Sequence, residues 1–242
     1  VYDMVFPNPT IDAGEEALKV YTANACDCIV ALGGGSSLDC AKVDGARVAR
    51  PKKPVAKMKG LLKVRKKMPM FIAIPTTAGT GSETTLAAVI SNSQTHEKYA
   101  INDHALIPHY AVMDASLTLG LPPHITSTTG MDALTHAVEA YIGKSNTSQT
   151  KLMAEKAVKL IFENLVAAYE DGSNFKAREN MLTGSYYAGV AFTRAYVGYV
   201  HAIAHTLGGF YHTPHGLANS VILPVVFEFY GESVYKKLAR LA

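Results

Sequence analysis

Cysteine is scarce. Cys26, Cys28 and Cys40 are the three in 242 residues, too few and too close in sequence for a disulfide framework. The single residue between Cys26 and Cys28 also misses the two-residue spacer of common zinc and redox motifs. A reducing, cytoplasmic setting is therefore expected. Long apolar runs are missing too: the most apolar stretch, residues 220–230, is interrupted by Pro224 and Glu228 and falls short of the ~18–20 residues that a membrane span needs. No cationic start leads into an apolar stretch with a small-residue cleavage site, so nothing suggests export. Neither internal repeats nor low-complexity segments occur. Acidic residues are absent from 47–67, where ten cations stand, while the whole chain carries only +3. That run has no interleaved aromatics and is broken by Pro51, Pro54 and Gly60, as in a solvated connection. Neither nucleic acid nor membrane is an expected partner.

What is present is the composition of a globular protein, 48% hydrophobic and 18% charged. At about 150 residues per domain, the length admits one large domain or two small ones. The first half alternates. A helical pattern at 13–25 leads to a β-branched run at 28–32, glycines and a helix over 37–50, and further short runs at 70–74, 87–91, 99–102 and 110–114 read as strands of one twisted sheet. After Pro122-Pro123 the periods turn helical, at 126–142, 148–169, 174–191 and 197–208 and from about 232. An α/β half followed by an all-helical half is expected, with a boundary near Gly120.

Three constellations carry chemistry. Gly33-Gly34-Gly35-Ser36 joins a strand to a helix, where backbone N–H groups can approach a phosphate at the positive helix end. It matches neither the G-x-G-x-x-G fingerprint nor a Walker A loop, and a tight turn would use the same glycines. The second is the stretch 75–83, PTTAGTGSE, again directly after a strand and rich in hydroxyls. Two such loops in one α/β domain suit a dinucleotide, although the second could equally serve as a helix N-cap. The third lies in the helical half. Asp132 and His136 are four apart on one helix face, His201 and His205 repeat that spacing, and His215 follows. Imidazoles with one carboxylate suit Fe(II) or Zn(II). His96, His104, His109, His124 and His212 lack such pairing and read as surface, turn or supporting residues. No Gly-x-Ser-x-Gly elbow and no Cys-His arrangement is evident.

These stretches, with PNPT at 7–10, GGGSSLDCAK at 33–42, TGMDALTHAVEAY at 129–141 and HAIAHTLGGFYHTPHG at 201–216, resemble the iron-containing alcohol dehydrogenase family in order and spacing along nearly the whole chain. The resemblance implies a Rossmann-like NAD(P)-binding α/β domain, here partial and spanning 1–120. An all-α metal-binding domain, partial over 121–242, would follow, in the dehydroquinate synthase-like architecture. It implies Asp132, His136, His201 and His215 as ligands of Fe(II), with Zn(II) or another divalent ion as a possible occupant. His205 would relay the alcohol proton or lie near the nicotinamide. Gly34, Gly35 and Ser36 would approach the diphosphate of NAD or NADP, while Asn8, Thr76, Thr77, Thr80, Lys98 and Leu117 would line the rest of the nucleotide site. Asp39 would anchor the glycine loop.

The implied activity is reversible hydride transfer between a primary alcohol or aldehyde and NAD(P), with the ion as Lewis acid. Phe192, Tyr196 and Phe210 are candidates for the substrate pocket. Related chemistries of the same architecture, glycerol dehydrogenase and dehydroquinate synthase, are the alternatives, as is a non-catalytic fragment that only binds nucleotide or metal. Against the family pattern the chain looks shortened at both ends, which would leave a sheet edge unpaired and remove the acidic residue that separates NAD from NADP. A homodimer or larger homo-oligomer is expected of the full-length parent.

Overall fold

The computed structural model describes residues 1–95, 97–211 and 213–242; His96 and His212, expected as surface or supporting residues, lie outside them. The chain divides into two compact units, one of residues 1–76 and 82–113, the other of 77–81 and 114–242.

In chain order, the first unit holds α1 (Ile11–Ala23), β1 (Cys28–Gly33), α2 (Gly35–Ala49), β2 (Gly60–Leu61), β3 (Met70–Pro75), β4 (Ala87–Ser91), β5 (Lys98–Asn102) and β6 (Tyr110–Ala111). Thr10 starts α1 by accepting the Ala13 N–H at 3.2 Å, a Thr N-cap of the usual kind. The strands form two sheets rather than the single sheet that their sequence suggests. β1, β3 and β6 are parallel, with Cys28 opposite Met70 and Gly33 opposite Pro75, whereas β2, β5 and β4 make a second sheet in which β4 and β5 are antiparallel. The short β4–β5 connection lets these strands pair with each other, which needs no crossover helix. Residues 110–114 also differ from expectation. The strand is confined to 110–111, with the Val112 N–H still donating to Ala73 O at 2.8 Å, and Asp114 then caps the following turn by accepting from the Ser116 N–H at 2.9 Å.

The core of this unit gathers Leu38 and Val43 from α2 with Phe71, Ile90, Ile101 and Leu106. Three cations of the acid-free run bind backbone within it. Arg47 pairs with Glu15 and reaches the carbonyls of Arg50, Pro51 and Lys53, Arg50 donates to Val64 O, and Lys53 to Lys63 O. Within the core, Lys42 is fully buried and donates to Ser82 Oγ, Thr85 Oγ1 and the carbonyls of Thr85 and Ala87.

The second unit is helical: α3 (Pro123–Ile142), α4 (Ser148–Glu170), α5 (Phe175–Ala195), α6 (Tyr199–Tyr211), α7 (His215–Tyr230) and α8 (Glu232–Leu241). Thr147 and Thr150 form a reciprocal capping box at the start of α4, and Asn174 caps α5. The sequence reading missed α7. Pro224 lies inside it and it lacks a polar face, so neither a helical period nor the absence of breakers announces it. α3 packs against α4, α5 and α7 and is buried almost all round from Asp132 to Ile142. Segment 77–81 belongs here as well. Gly81, at φ +60°, sits so close to α5 that a Cβ on it would lie 2.7 Å from Gly189 Cα, a contact that only glycine permits. Among the described residues no helix is long and apolar enough to cross a membrane.

Candidate metal centre

Helical spacing puts Asp132, His136 and Glu139 on one face of α3, since residues three and four apart are neighbours. His201 comes from the first turn of α6, and His215 and Asn219 from successive turns of α7. All are buried except His215, whose side chain is 36% exposed. Asp132 Oδ1 lies 3.4 Å from His215 Nε2, 3.5 Å from His201 Nε2 and 3.9 Å from His136 Nδ1. Four donors around one ion at ~2.1 Å would stand about 3.4 Å apart in a tetrahedron, which the three distances from Asp132 approach, while His215 lies outside the group whose donors are all within 4.8 Å of one another.

The strongest sign is His136 Nδ1, a buried ring nitrogen with no hydrogen-bond partner among the described residues. Burying such a group without a partner is costly, and a cation among these donors would satisfy it. Its ring is fixed by stacking on Phe192 at 4.0 Å and on His201 at 4.3 Å. Among the described residues, Asp132, His136 and His201 are also the group whose donor atoms converge within 4.8 Å of one another.

Electrostatics follow from this crowding. Burial would raise Asp132, but the adjoining imidazoles of His136, His201 and His215 hold it far below the usual carboxylate range. Burial pushes His136 down to about 3 despite the attraction of Asp132. Burial would also lower His201, yet the carboxylates of Asp132 and Glu139 lift it to about 9. Two carboxylates on one imidazole make a pocket that selects positive charge.

Asn219 and Glu139 were not foreseen from the sequence. Asn219 is fully buried, its Nδ2 2.7 Å from Asp132 Oδ1, 3.2 Å from His201 Nε2 and 3.3 Å from His215 Nε2. The spacing His215-x-x-x-Asn219 was a usable signal, lost because α7 itself was unrecognised. Glu139 accepts the N–H groups of Gly198 and Val200, both at 2.8 Å, and lies 2.6 Å from His201 Nδ1. Gly216 lets α7 start against α3, because a Cβ there would be 2.0 Å from Thr128 O.

His205 is exposed, its ring 6.2 Å from that of His201 and 5.0 Å from that of His215. Of the aromatic pocket candidates, Phe192 is the one in ring contact with the site, while Tyr196 and Phe210 are exposed.

The residues expected around a nucleotide are partly brought together. In the first unit, Gly34 caps α2 without any side-chain cap bond, and Gly35 and Ser36 form its first turn. Asn8 N–H donates to Ser36 Oγ at 3.3 Å, Lys98 Nζ donates to Asn8 Oδ1 at 2.7 Å, and Thr76 N–H donates to Gly33 O. Thr77, Thr80 and Leu117 belong to the second unit. Asp39 is corrected: its carboxylate takes Ser82 Oγ at 2.7 Å and the Val89 N–H at 3.0 Å. It therefore anchors the end of the 75–83 loop and β4 rather than the glycine loop, because a side chain one turn into α2 faces the sheet neighbours.

Fold and site together define a protein with a glycine-loop α/β unit and a helical unit bearing three imidazoles and a carboxylate. Comparison with known proteins makes that class specific. The model of iron-containing alcohol dehydrogenase matches residues 1–115, and that of the Fe-containing alcohol dehydrogenase family, C-terminal, matches 126–242. Alcohol dehydrogenase 4 of Saccharomyces cerevisiae is 45% identical over 228 residues, 94% of this chain and 59% of that protein. The crystal structure of a 1,3-propanediol oxidoreductase superposes with a TM-score of 0.92 at 42% identity, covering 94% of this chain and 59% of that one. Sulfoacetaldehyde reductase from Bifidobacterium kashiwanohense, solved in complex with NAD+, gives 0.88 at 33% identity, covering 96% and 62%. The chain belongs to the iron-containing alcohol dehydrogenase family, and spans about three fifths of the length of these relatives.

Proposed function

We propose that these 242 residues carry the ion-binding and nucleotide-binding core of a divalent-metal-dependent alcohol dehydrogenase. Asp132, His136, His201 and His215 would hold Fe(II), or Zn(II) in its place. The observation that carries the reading is the unpartnered, buried His136 Nδ1 beside Asp132 Oδ1, to which two further imidazole nitrogens converge. When bound, the ion would supply Lewis acidity toward an alcohol hydroxyl or aldehyde oxygen, and a nicotinamide cofactor would supply the hydride chemistry.

The protein's own part is positioning. Asp132 contributes the negative charge that keeps an ion among neutral imidazoles, and Phe192 fixes the plane of His136 by stacking. His205, at the exposed side of His201 and His215, is suited to pass the alcohol's proton to solvent. Gly34, Gly35 and Ser36, at an α2 terminus without a side-chain cap, suit a diphosphate. Asn8, Lys98, Thr76, Thr77, Thr80 and Leu117 would complete the NAD or NADP site. The NAD+ bound to the sulfoacetaldehyde reductase supports a nicotinamide cofactor, and the named relatives support a small primary alcohol, a diol or the matching aldehyde as substrate. The reading divides the chain into a nucleotide-binding domain and a helical metal-binding domain. It takes the parent enzyme as a cytoplasmic homo-oligomer.

Anaerobic incubation of the Fe(II)- or Zn(II)-loaded chain with NAD+, NADP+ and a panel of 1-deuterated primary alcohols tests this. Reduced nicotinamide carrying the deuterium is the expected product. Absence of label transfer, with ion and nucleotide both shown by calorimetry to be bound, would contradict the assignment of activity to this chain.

A further inference from the structure

Glu139 is 2% exposed, and both its carboxylate oxygens are engaged. Oε1 accepts the Val200 N–H at 2.8 Å; Oε2 accepts the Gly198 N–H at 2.8 Å and lies 2.6 Å from His201 Nδ1. The backbone comes close enough at this point that a Cβ on Gly198 would stand 2.8 Å from Glu139 Oε1. An ionised carboxylate can only accept, so Nδ1 must carry the proton in that 2.6 Å contact. The other ring nitrogen, His201 Nε2, faces the donor cluster, 3.5 Å from Asp132 Oδ1 and 3.2 Å from Asn219 Nδ2.

We propose that Glu139 is a positioning residue for the ion site, holding the Nδ1 proton of His201 so that Nε2 points its lone pair into the donor cluster. This rests on the metal-site reading above. The same carboxylate ties the entry of α6 to α3 through two backbone N–H groups, so the orientation of His201 is fixed from its ring and from its main chain at once. A ligand imidazole whose far nitrogen donates to a carboxylate is more basic and loses less freedom on binding, and removal of such a partner commonly weakens metal affinity 10- to 100-fold.

Glu139→Gln separates positioning from simple support, because the amide oxygen still accepts a backbone N–H while its NH2 group turns a donor toward Nδ1. Two readouts are needed. The first is the zinc dissociation constant, by competition with a chromogenic chelator, alongside the thermal midpoint. The second is the ¹⁵N-resolved spectrum of histidine-labelled chain, with and without zinc, in which wild type is expected to show a low-field Nδ1 proton on His201 in both states. Zinc binding weakened about 10- to 100-fold in Glu139→Gln, with loss of that proton signal in a variant that still melts cooperatively, at a midpoint lowered by the one backbone N–H left unpaired, is the expected result. Wild-type affinity in the variant, or a wild-type His201 without the Nδ1 proton, would overturn the proposal. A wild type that shows the Nδ1 proton and loses it in Glu139→Gln, yet binds no zinc, would overturn the metal-site reading while leaving the tautomer role of Glu139 standing.

Discussion

Asp44 shows what a single misplaced charge does in this chain. It is buried on α2 with one oxygen lacking a hydrogen-bond partner among the described residues. Burial, and to a lesser degree the neighbouring charge of Glu15, pushes its carboxyl up to about 7, well above the ordinary carboxylate range. A raised folded-state value means that the folded chain holds the proton more tightly. Its contribution to stability is complete below pH ~4 and fades as the pH rises through about 7, by at most about 1.4 kcal/mol per pH unit. Urea unfolding from pH 4 to 8 should show this decline, and Asp44→Asn should flatten it; an unchanged slope in the variant would contradict the account. At this scale the sequence was legible where chemistry is rare. The pairs Asp132/His136 and His201/His205 stood out by their helical spacing, whereas the four-residue set with His215 was what the family resemblance implied. Glu139 and Asn219 were not legible, since a glutamate or asparagine within a helix looks the same on the page whether it faces water or a buried imidazole.

Among the elements, α7 shows the cost of a missing pattern. Its apolar surface and internal Pro224 hide a helix that supplies both His215 and Asn219, so half of one wall of the site was invisible before the fold was known. Its seating depends on Gly216, whose hydrogen faces Thr128 O where a Cβ would stand at 2.0 Å. Gly216→Ala must push the first turn of α7 off α3 and carry His215 with it. The variant should lose roughly 1–3 kcal/mol of stability from overpacking, with zinc affinity falling at least tenfold; equilibrium dialysis and thermal melts check both. Affinity equal to wild type would mean that α7 is not held where the structure has it. The strands present the opposite case. Their existence was readable from short β-branched runs between turn residues, but their division into two sheets was not, because pairing partners are a tertiary property that alternation does not encode.

Across the whole molecule, the order of an α/β half and a helical half was plain from the change of hydrophobic period after Pro122. The assignment of segment 77–81 to the helical unit was not, since nothing local marks Gly81 as the partner of Gly189. What unites the scales is the claim that Asp132, His136, His201 and His215, supplied by three helices, act as one ion-binding set. The measurement that tests it most directly is metal content by mass spectrometry of the anaerobically loaded chain and its variants, with folding checked by circular dichroism. The account predicts about one ion per chain in wild type and in His124→Ala, whose side chain is exposed on α3. It predicts almost none in folded Asp132→Ala or His201→Ala. Full occupancy retained in either of those two variants, or no ion in a folded wild type, would contradict it.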